Sequence, residues 1–388
     1  MHILVIPSWY PKFEGDIVGS FFREQAQFLS DAGHQVGVLA SSLSSLRNIP
    51  NAFGRLYGAE AFYDGDVFTI LSIRPNFFPR MLRLNAHLIS RDVLRSYEEY
   101  ERKFGAPDII HLHAAINSGI GATRLKSSTG KPLVYSEHHS ALLSLIPRKG
   151  GRRIISRVVE SADLCSVVSP GFGLAISERF DIAKRNWIDI PNPVNPIFLS
   201  HPFAESTRET FKFLHISNLT KNKNVELILR SFAKAFGGIS SIELHIGGNG
   251  PELKNLLKLA EEINIEKQTK FIGAMTRPEV AKNMIDADAF LMSSKVETFG
   301  VVIIEALATG MPVISTPTMG PASIITDETG ITTKGYDVDE YSSAMVEMYR
   351  EIDRWPRAHL REVCRCRFSS EIVTKQWVNV YKRLLNSN

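Results

Sequence analysis

The sequence predicts an α/β fold of two doubly wound domains. Three observations carry that expectation. A pattern of buried strand, loop, helix and strand begins at His2 and begins again at Phe211, as in parallel sheets covered by helices. Between the two runs lies Asn186 to Pro196 (NWIDIPNPVNP), whose three prolines mark a stiff connector. The 388 residues also exceed what one ordinary core organises. The expected Rossmann-like domains are residues 1–190 and 191–367, with a further helix over 368–388.

Composition narrows the class. With 44% hydrophobic and 22% charged residues the chain reads as soluble and globular. Cys165, Cys364 and Cys366 are too few for a disulfide framework, and Cys-x-Cys without neighbouring ligands is not a zinc spacing. The apolar start is cut by Pro7, and no run of about eighteen apolar residues occurs. The expected location is cytoplasmic, or at most the inner face of a membrane. The net charge of +4 belongs to residues 1–190, where 22 Lys and Arg face 18 Asp and Glu.

In the first domain, His2 to Ile6 (HILVI) is a buried strand, Ser20 to Ala32 a helix stopped by Gly33, and Val36 to Ala40 the next strand. Ligands of such units bind beyond the carboxyl ends of the strands. There the loop SWYPKFEGDIVGSFF places Gly15 and Gly19, either plain turn residues or points of close backbone approach. Residues 48–94 read as irregular, aromatic and basic. Phe77, Phe78, Met81, Leu82 and Leu84 beside Arg74, Arg80, Arg83 and Arg91, with a second cluster at Arg148, Lys149, Arg152, Arg153 and Arg157, suit either a solvated helix face or contact with anionic lipid. No nucleic-acid-binding motif accompanies the charge. Asp108 to His113 (DIIHLH), Leu133 to Ser136 (LVYS) and Ala162 to Ser169 supply further strands, the second running into the polar cluster Glu137, His138, His139 and Ser140.

The second domain restarts with strand FKFLHI, loop SNLTKNKN and a helix from Val225 to Phe236. Lys223, just before that helix, opposes the helix dipole, which suggests an anion between them or a solvated loop lysine. Strand Glu243 to Ile246 runs into Gly247-Gly248-Asn249-Gly250, a glycine run that by itself is weak evidence of phosphate binding. Asp286-Ala287-Asp288 has a metal-binding D-x-D form, but precedes the strand at Ala289, so no metal site is expected. Strands at Ala289 to Ser293 and Val313 to Ser315 flank a helix over Val301 to Thr309, stopped by Gly310 and Pro312. That helix is apolar on nearly every side yet carries Glu305. With Glu297 in the preceding loop, two acids bracket free amides at a helix N-terminus, a place for a phosphate between hydroxyl-binding groups. The alternative is a core acid paired with Lys or Arg and a solvated loop acid.

The phrase E-x-F-G-x-x-x-x-E-A-x-A-x-G-x-P-V over Glu297 to Val313 closely resembles the signature of the retaining family 4 glycosyltransferases (glycosyl transferases group 1). The resemblance implies GT-B architecture, two Rossmann-like domains facing across a cleft, with 368–388 crossing back onto the first. It implies a nucleotide-diphosphate sugar as co-substrate, no cofactor or metal, and transfer to a hydroxyl of a glycan or lipid-linked glycan acceptor, as in bacterial-type surface polysaccharide assembly. Glu305 would bind ribose, Glu297 the donor sugar, and Lys223 with the Thr298, Phe299, Gly300 and Val301 amides the diphosphate. Gly273, at the end of Phe271-Ile272-Gly273, would face the base, and Gly248 and Gly19 would approach the donor. V-Y-S-E-H-H-S is similar to the family's T-x-H-x-S element, which puts His138 on the donor sugar, with His139 next in register; His111 and His113 fall on a family H-x-H. Asn218 and Asn224 stand where the family has Arg and Gly. A nucleotide-sugar epimerase of the same fold and a non-catalytic, donor-binding partner subunit are the alternatives.

Overall fold

A computed structural model of the chain describes residues 1–12, 16, 18–45, 58–79, 81–144, 146, 148–182, 186–203 and 209–386. The chain divides into two compact units, Met1–Pro191 with Ser370–Asn388, and Asn192–Ser369.

The first unit is built on eight strands: β1 (His2–Pro7), β2 (Gln35–Ser45), β3 (Gly58–Asp64), β4 (Val67–Asn76), β5 (Ile109–His113), β6 (Leu133–Glu137), β7 (Leu164–Val167) and β8 (Trp187–Asp189). Their order is β3-β4-β2-β1-β5-β6-β7-β8, parallel except for β3 against β4. Every residue of β1 is buried because the strand is central and covered on both faces. The helix Ser370–Asn386 buries Val373, Trp377 and Tyr381 in this unit's core, beside Ile3, Val5 and Ile109.

Residues 58–76 are not irregular, as the sequence suggested, but form the β3–β4 hairpin, turning at Gly65-Asp66 with Asp64 opposite Val67. Asp64 is pinned from three sides, by Tyr10 Oη (2.9 Å) and Arg23 Nε and Nη2 (2.5 Å each). Arg74 is likewise spent on a bidentate pair with Asp92 of helix Leu82–Phe104. Helix Arg148–Ser161 buries Ile154, Ile155, Val158 and Val159 and leaves Arg152, Arg153 and Arg157 in solvent. Gly15 and Arg80 lie outside the described residues.

The second unit holds β9 (Phe211–Ile216), β10 (Ile242–Gly247), β11 (Thr269–Gly273), β12 (Ala289–Met292), β13 (Val313–Ser315) and β14 (Gly330–Thr332). All pairs are parallel and the order is β11-β10-β9-β12-β13-β14. This is the doubly wound arrangement in which strand order reverses between the first and fourth strands, here β9 and β12. Their ladder joins only Ala289 with Phe213 and Phe290 with Leu214. Beyond it the buried His215 takes over, its Nδ1 at 2.8 Å from the Leu291 carbonyl and its Nε2 at 2.8 Å from Ser217 Oγ. Burial holds His215 down at about 4, so the ring is neutral, donating from Nδ1 and accepting at Nε2. The two strands part at their carboxyl ends while a side chain keeps their loops in place.

Candidate active site

Those two loops meet. Lys223 closes the short helical turn Lys221–Lys223 after β9, and Glu297 lies in the loop after β12. Lys223 Nζ donates to Glu297 Oε2 at 2.8 Å, with the side chains 24% and 15% exposed. Asn222 staples the loops together: its carbonyl accepts from the Lys295 amide (2.8 Å), its Oδ1 from the Val296 amide (3.1 Å), and its Nδ2 donates to the Val296 carbonyl (2.9 Å). Ser293 Oγ adds a bond to the Lys223 carbonyl at 2.7 Å. The pair is thus held by backbone and buried amides, so its geometry owes little to loop freedom.

Asn224, between the Lys221–Lys223 turn and helix Val225–Phe236, has φ 51°. Asparagine tolerates this left-handed conformation better than other residues with a side chain, which is how it serves where the family has glycine. Asn218 is exposed and brings no charge, and Lys221 lines a separate hollow with Glu226 and Glu252. Lys223 is therefore the cation of this loop at Glu297.

Helix Val301–Ala308 starts at Gly300. The amides of Phe299, Gly300 and Val301 make no hydrogen bond to a described residue, whereas Thr298 is engaged. Orphan donors of a helix N-terminus are thereby gathered beside the Lys223–Glu297 pair. Phe299 is buried, and Gly320 packs on its backbone so closely that a Cβ would lie 2.4 Å from the Phe299 Cα. The carboxyl of Glu305, within the same helix, makes no hydrogen bond or ion pair among the described residues, while its backbone carbonyl accepts from Thr309. Half-buried by solvent contact yet densely surrounded, its carboxyl is pushed up to about 7 by burial, against a pull from Arg277. It is not locked to an arginine, and a carboxylate in this state is poised for a hydroxyl partner.

The glycine run after β10 supports the loop that carries Lys223. A Cβ on Gly248, whose φ is 112°, would fall 1.8 Å from the Ser217 carbonyl oxygen, and the Gly248 amide donates to the Gly273 carbonyl at 2.7 Å. Gly248 therefore offers close approach and no free amide, with Gly273 its acceptor. Asp288 sits at the opposite, amino edge of the sheet, accepting from the Lys212 amide (2.8 Å) and facing Arg357 (3.5 Å). Asp288 is structural there, and no cluster of three or more metal-type side chains occurs among the described residues.

In the first unit the corresponding edge is formed by the ends of β1, β5 and β6. Gly19 starts helix Ser20–Asp31 at φ 77°, where a Cβ would lie 2.7 Å from the Trp9 carbonyl. Its role in the structure is to let that helix close on the loop after β1. At the end of β6, Glu137 is buried and accepts four hydrogen bonds: from Tyr135 Oη (2.7 Å), and the amides of Ala115 (3.2 Å), His138 (2.9 Å) and His139 (3.0 Å). This carboxylate shapes the turn that presents both histidines. His138 Nε2 lies 3.0 Å from Nδ1 of His113, and His139 stacks on Trp9 at 4.6 Å between centroids. Ala114, right after His113, takes φ 60°, a strained value for a residue with a Cβ. Next to these ends, Trp9, Tyr10, Leu43, Asn76, Ile116 and Asn117 border a hollow of about 680 Å³.

Sequence reasoning missed Glu137, Asn222, His215 and Arg277. Glu137 had a signal, an acid at a strand end beside two histidines, but one of its four donors, the Ala115 amide, comes from a separate segment.

Known proteins of this pattern are transferases. Residues 18–197 match the family described as Glycosyltransferase Family 4, and residues 200–354 match Glycosyl transferases group 1. The chain is 25% identical to N-acetyl-alpha-D-glucosaminyl L-malate synthase of Bacillus anthracis, over 98% of this chain and 96% of that protein. It is 23% identical to a GDP-mannose-dependent monoacylated alpha-(1-6)-phosphatidylinositol monomannoside mannosyltransferase of Corynebacterium glutamicum, over 70% and 73%. Sucrose-phosphate synthase of Thermosynechococcus elongatus superposes with a TM-score of 0.78 at 17% identity, covering 100% of both chains. HepE of Anabaena, solved with UDP, gives 0.72 at 15%, covering 99% and 100%. Matched in both halves and sharing the GT-B fold of these structures, the chain belongs to glycosyltransferase family 4 and is a glycosyltransferase.

Proposed function

We propose that this glycosyltransferase moves a sugar, with retention of configuration and without a metal, from a nucleotide-diphosphate sugar to a hydroxyl of a glycan or lipid-linked glycan acceptor in bacterial-type polysaccharide assembly. The observation that carries the proposal is the Lys223–Glu297 pair at the strand-order reversal, beside the unengaged amides of Phe299, Gly300 and Val301 and the unpaired Glu305. In this reading the second unit is the donor domain. Lys223 and the amides meet the diphosphate, on which negative charge grows as the glycosidic bond breaks, and fixed donors there lower the barrier. A cation and helix amides already answer that charge, which supports metal independence; family membership supports retention. Diphosphate binding competes for Lys223, freeing Glu297 to accept from donor-sugar hydroxyls, while Glu305 accepts from ribose. Gly248 and Gly273 border the same crevice, and Asn218 lies on its rim.

The first unit is proposed as the acceptor side, with His138 contributing a sugar contact and Gly19 shaping the loop beside it. Its part-apolar hollow suits an acceptor with a hydrophobic portion. The exposed Phe77, Phe78 and Met81, with Arg83 and Arg91, support peripheral contact with an anionic membrane surface facing the cytoplasm. No described helix is long and apolar enough to cross a membrane.

The test is a panel of nucleotide sugars assayed with chelator present, following nucleotide release with and without lipid-linked acceptors, and reading the anomeric configuration of the product by NMR. Acceptor-dependent release with a retained anomer is expected. Strict metal dependence, inversion, epimerisation of the free donor, or binding without turnover would each contradict it.

A further inference from the structure

We propose that His113 is a positioning residue: it donates its Nδ1–H to Nε2 of His138 and so fixes His138 as the tautomer that carries its proton on Nδ1. The catalytic consequence rests on the proposed contact between His138 and the donor sugar; the proton placement does not.

The two nitrogens of the His113 ring have different surroundings. Nδ1 lies 3.0 Å from His138 Nε2. Nε2 is sealed from solvent and has no hydrogen-bond partner among the described residues. Burial holds the pKa of His113 well below 6.5, so the ring is neutral and has a single N–H to place. On Nε2 that hydrogen would be a buried donor with nothing to receive it. On Nδ1 it completes the bond to His138 and leaves only a lone pair unmatched, and buried orphan donors are the rarer and costlier of the two. His111 cannot change the balance, since its Nδ1 is taken by Tyr381 Oη (2.6 Å) and its Nε2 by Ser136 Oγ (2.7 Å). The His113 ring is wedged between His111 at 3.9 Å and Phe22 at 5.0 Å between centroids, and strained Ala114 fixes the strand end behind it.

His138 Nε2 is thereby the acceptor, and in the neutral form of that ring the proton stays on Nδ1. Any hydrogen bond His138 makes through Nδ1, one to a sugar included, is donated. A histidine free in water favours the opposite tautomer, so His113 selects the minority form.

The experiment is a long-range proton–nitrogen NMR correlation on the full-length chain labelled with ¹⁵N-histidine, the His138 signals being assigned from their loss in His138→Gln. The wild type is expected to show a protonated Nδ1 and a bare Nε2 at His138. His113→Leu should reverse that pattern and lower kcat on the order of tenfold, the worth of one oriented hydrogen bond, with donor KM little changed. His113→Asn, whose amide can replace Nδ1–H, should restore both. A wild-type His138 protonated at Nε2, or a pattern unmoved in His113→Leu, overturns the inference. Full turnover in His138→Gln overturns the sugar contact, and the catalytic consequence with it, whichever tautomer the spectrum shows.

Discussion

Lys223→Ala is expected to lower kcat by a factor on the order of 10² to 10³. Removing the ammonium has two effects. It withdraws a cation from the departing diphosphate, and it releases Glu297, now an unpaired carboxylate, beside the same site. Two unit charges about 4 Å apart exchange roughly 4 kcal/mol at an effective dielectric near 20, an upper measure here because Lys223 keeps 24% of its side-chain surface in solvent. Losing one fixed donor to a developing oxyanion costs about 2.7–4 kcal/mol, so both routes lead to a similar figure. Donor KM should rise less, because the amides of Phe299, Gly300 and Val301 still hold the ground state. The assay is initial-rate nucleotide release at saturating acceptor for Lys223→Ala, Glu297→Gln and the double variant. The double should lose less than the sum of the singles, since the uncovered carboxylate is gone. Turnover of Lys223→Ala within about threefold of wild type, in a chain that melts normally, would refute the reasoning.

Three further predictions follow from the same geometry. Burial raises Glu305 from 4.5 to about 7, so the native state binds more protons than the unfolded chain between those values, and stability should fall as pH rises across that window, by at most about 3 kcal/mol. Glu305→Gln should abolish that pH dependence and melt higher than wild type at pH near 8, yet bind a nucleoside diphosphate on the order of tenfold more weakly, as melting curves and calorimetric titration will show. Gly248→Ala drives a Cβ into the Ser217 carbonyl, and should cost about 2–4 kcal/mol of stability by denaturant titration while raising donor KM. Asn218→Arg gives the loop the charge that the family resemblance implies at this position, and should raise kcat/KM for the donor by roughly tenfold, the value of one charge-assisted bond.

Much of the second unit was legible because its signals are local. Strand FKFLHI, the loop to Lys223 and the stop at Gly310 each follow from a few adjacent residues. What joins them was not legible. Lys223 and Glu297 are 74 positions apart, and nothing in either segment says that Asn222 staples them together. The β3–β4 hairpin was overlooked although Gly65-Asp66 is a two-residue hairpin signal, because the aromatic and basic residues nearby drew the region toward a surface reading. Glu137 was noticed only as a companion of His138, since a buried carboxylate is recognised by what donates to it, and one of its donors, the Ala115 amide, lies 22 positions away. Asn224 read as a departure from the family pattern, whereas its backbone is left-handed, a conformation that glycine adopts freely and asparagine tolerates.

The most direct measurement of the central claim is a crystal structure of the chain with a nucleoside diphosphate bound. The account predicts a terminal phosphate within about 3 Å of Lys223 Nζ and of the amides at Phe299, Gly300 and Val301, with Glu305 on the ribose hydroxyls. A diphosphate seated away from these groups, with Lys223 still paired to Glu297 and Glu305 empty-handed, would contradict it.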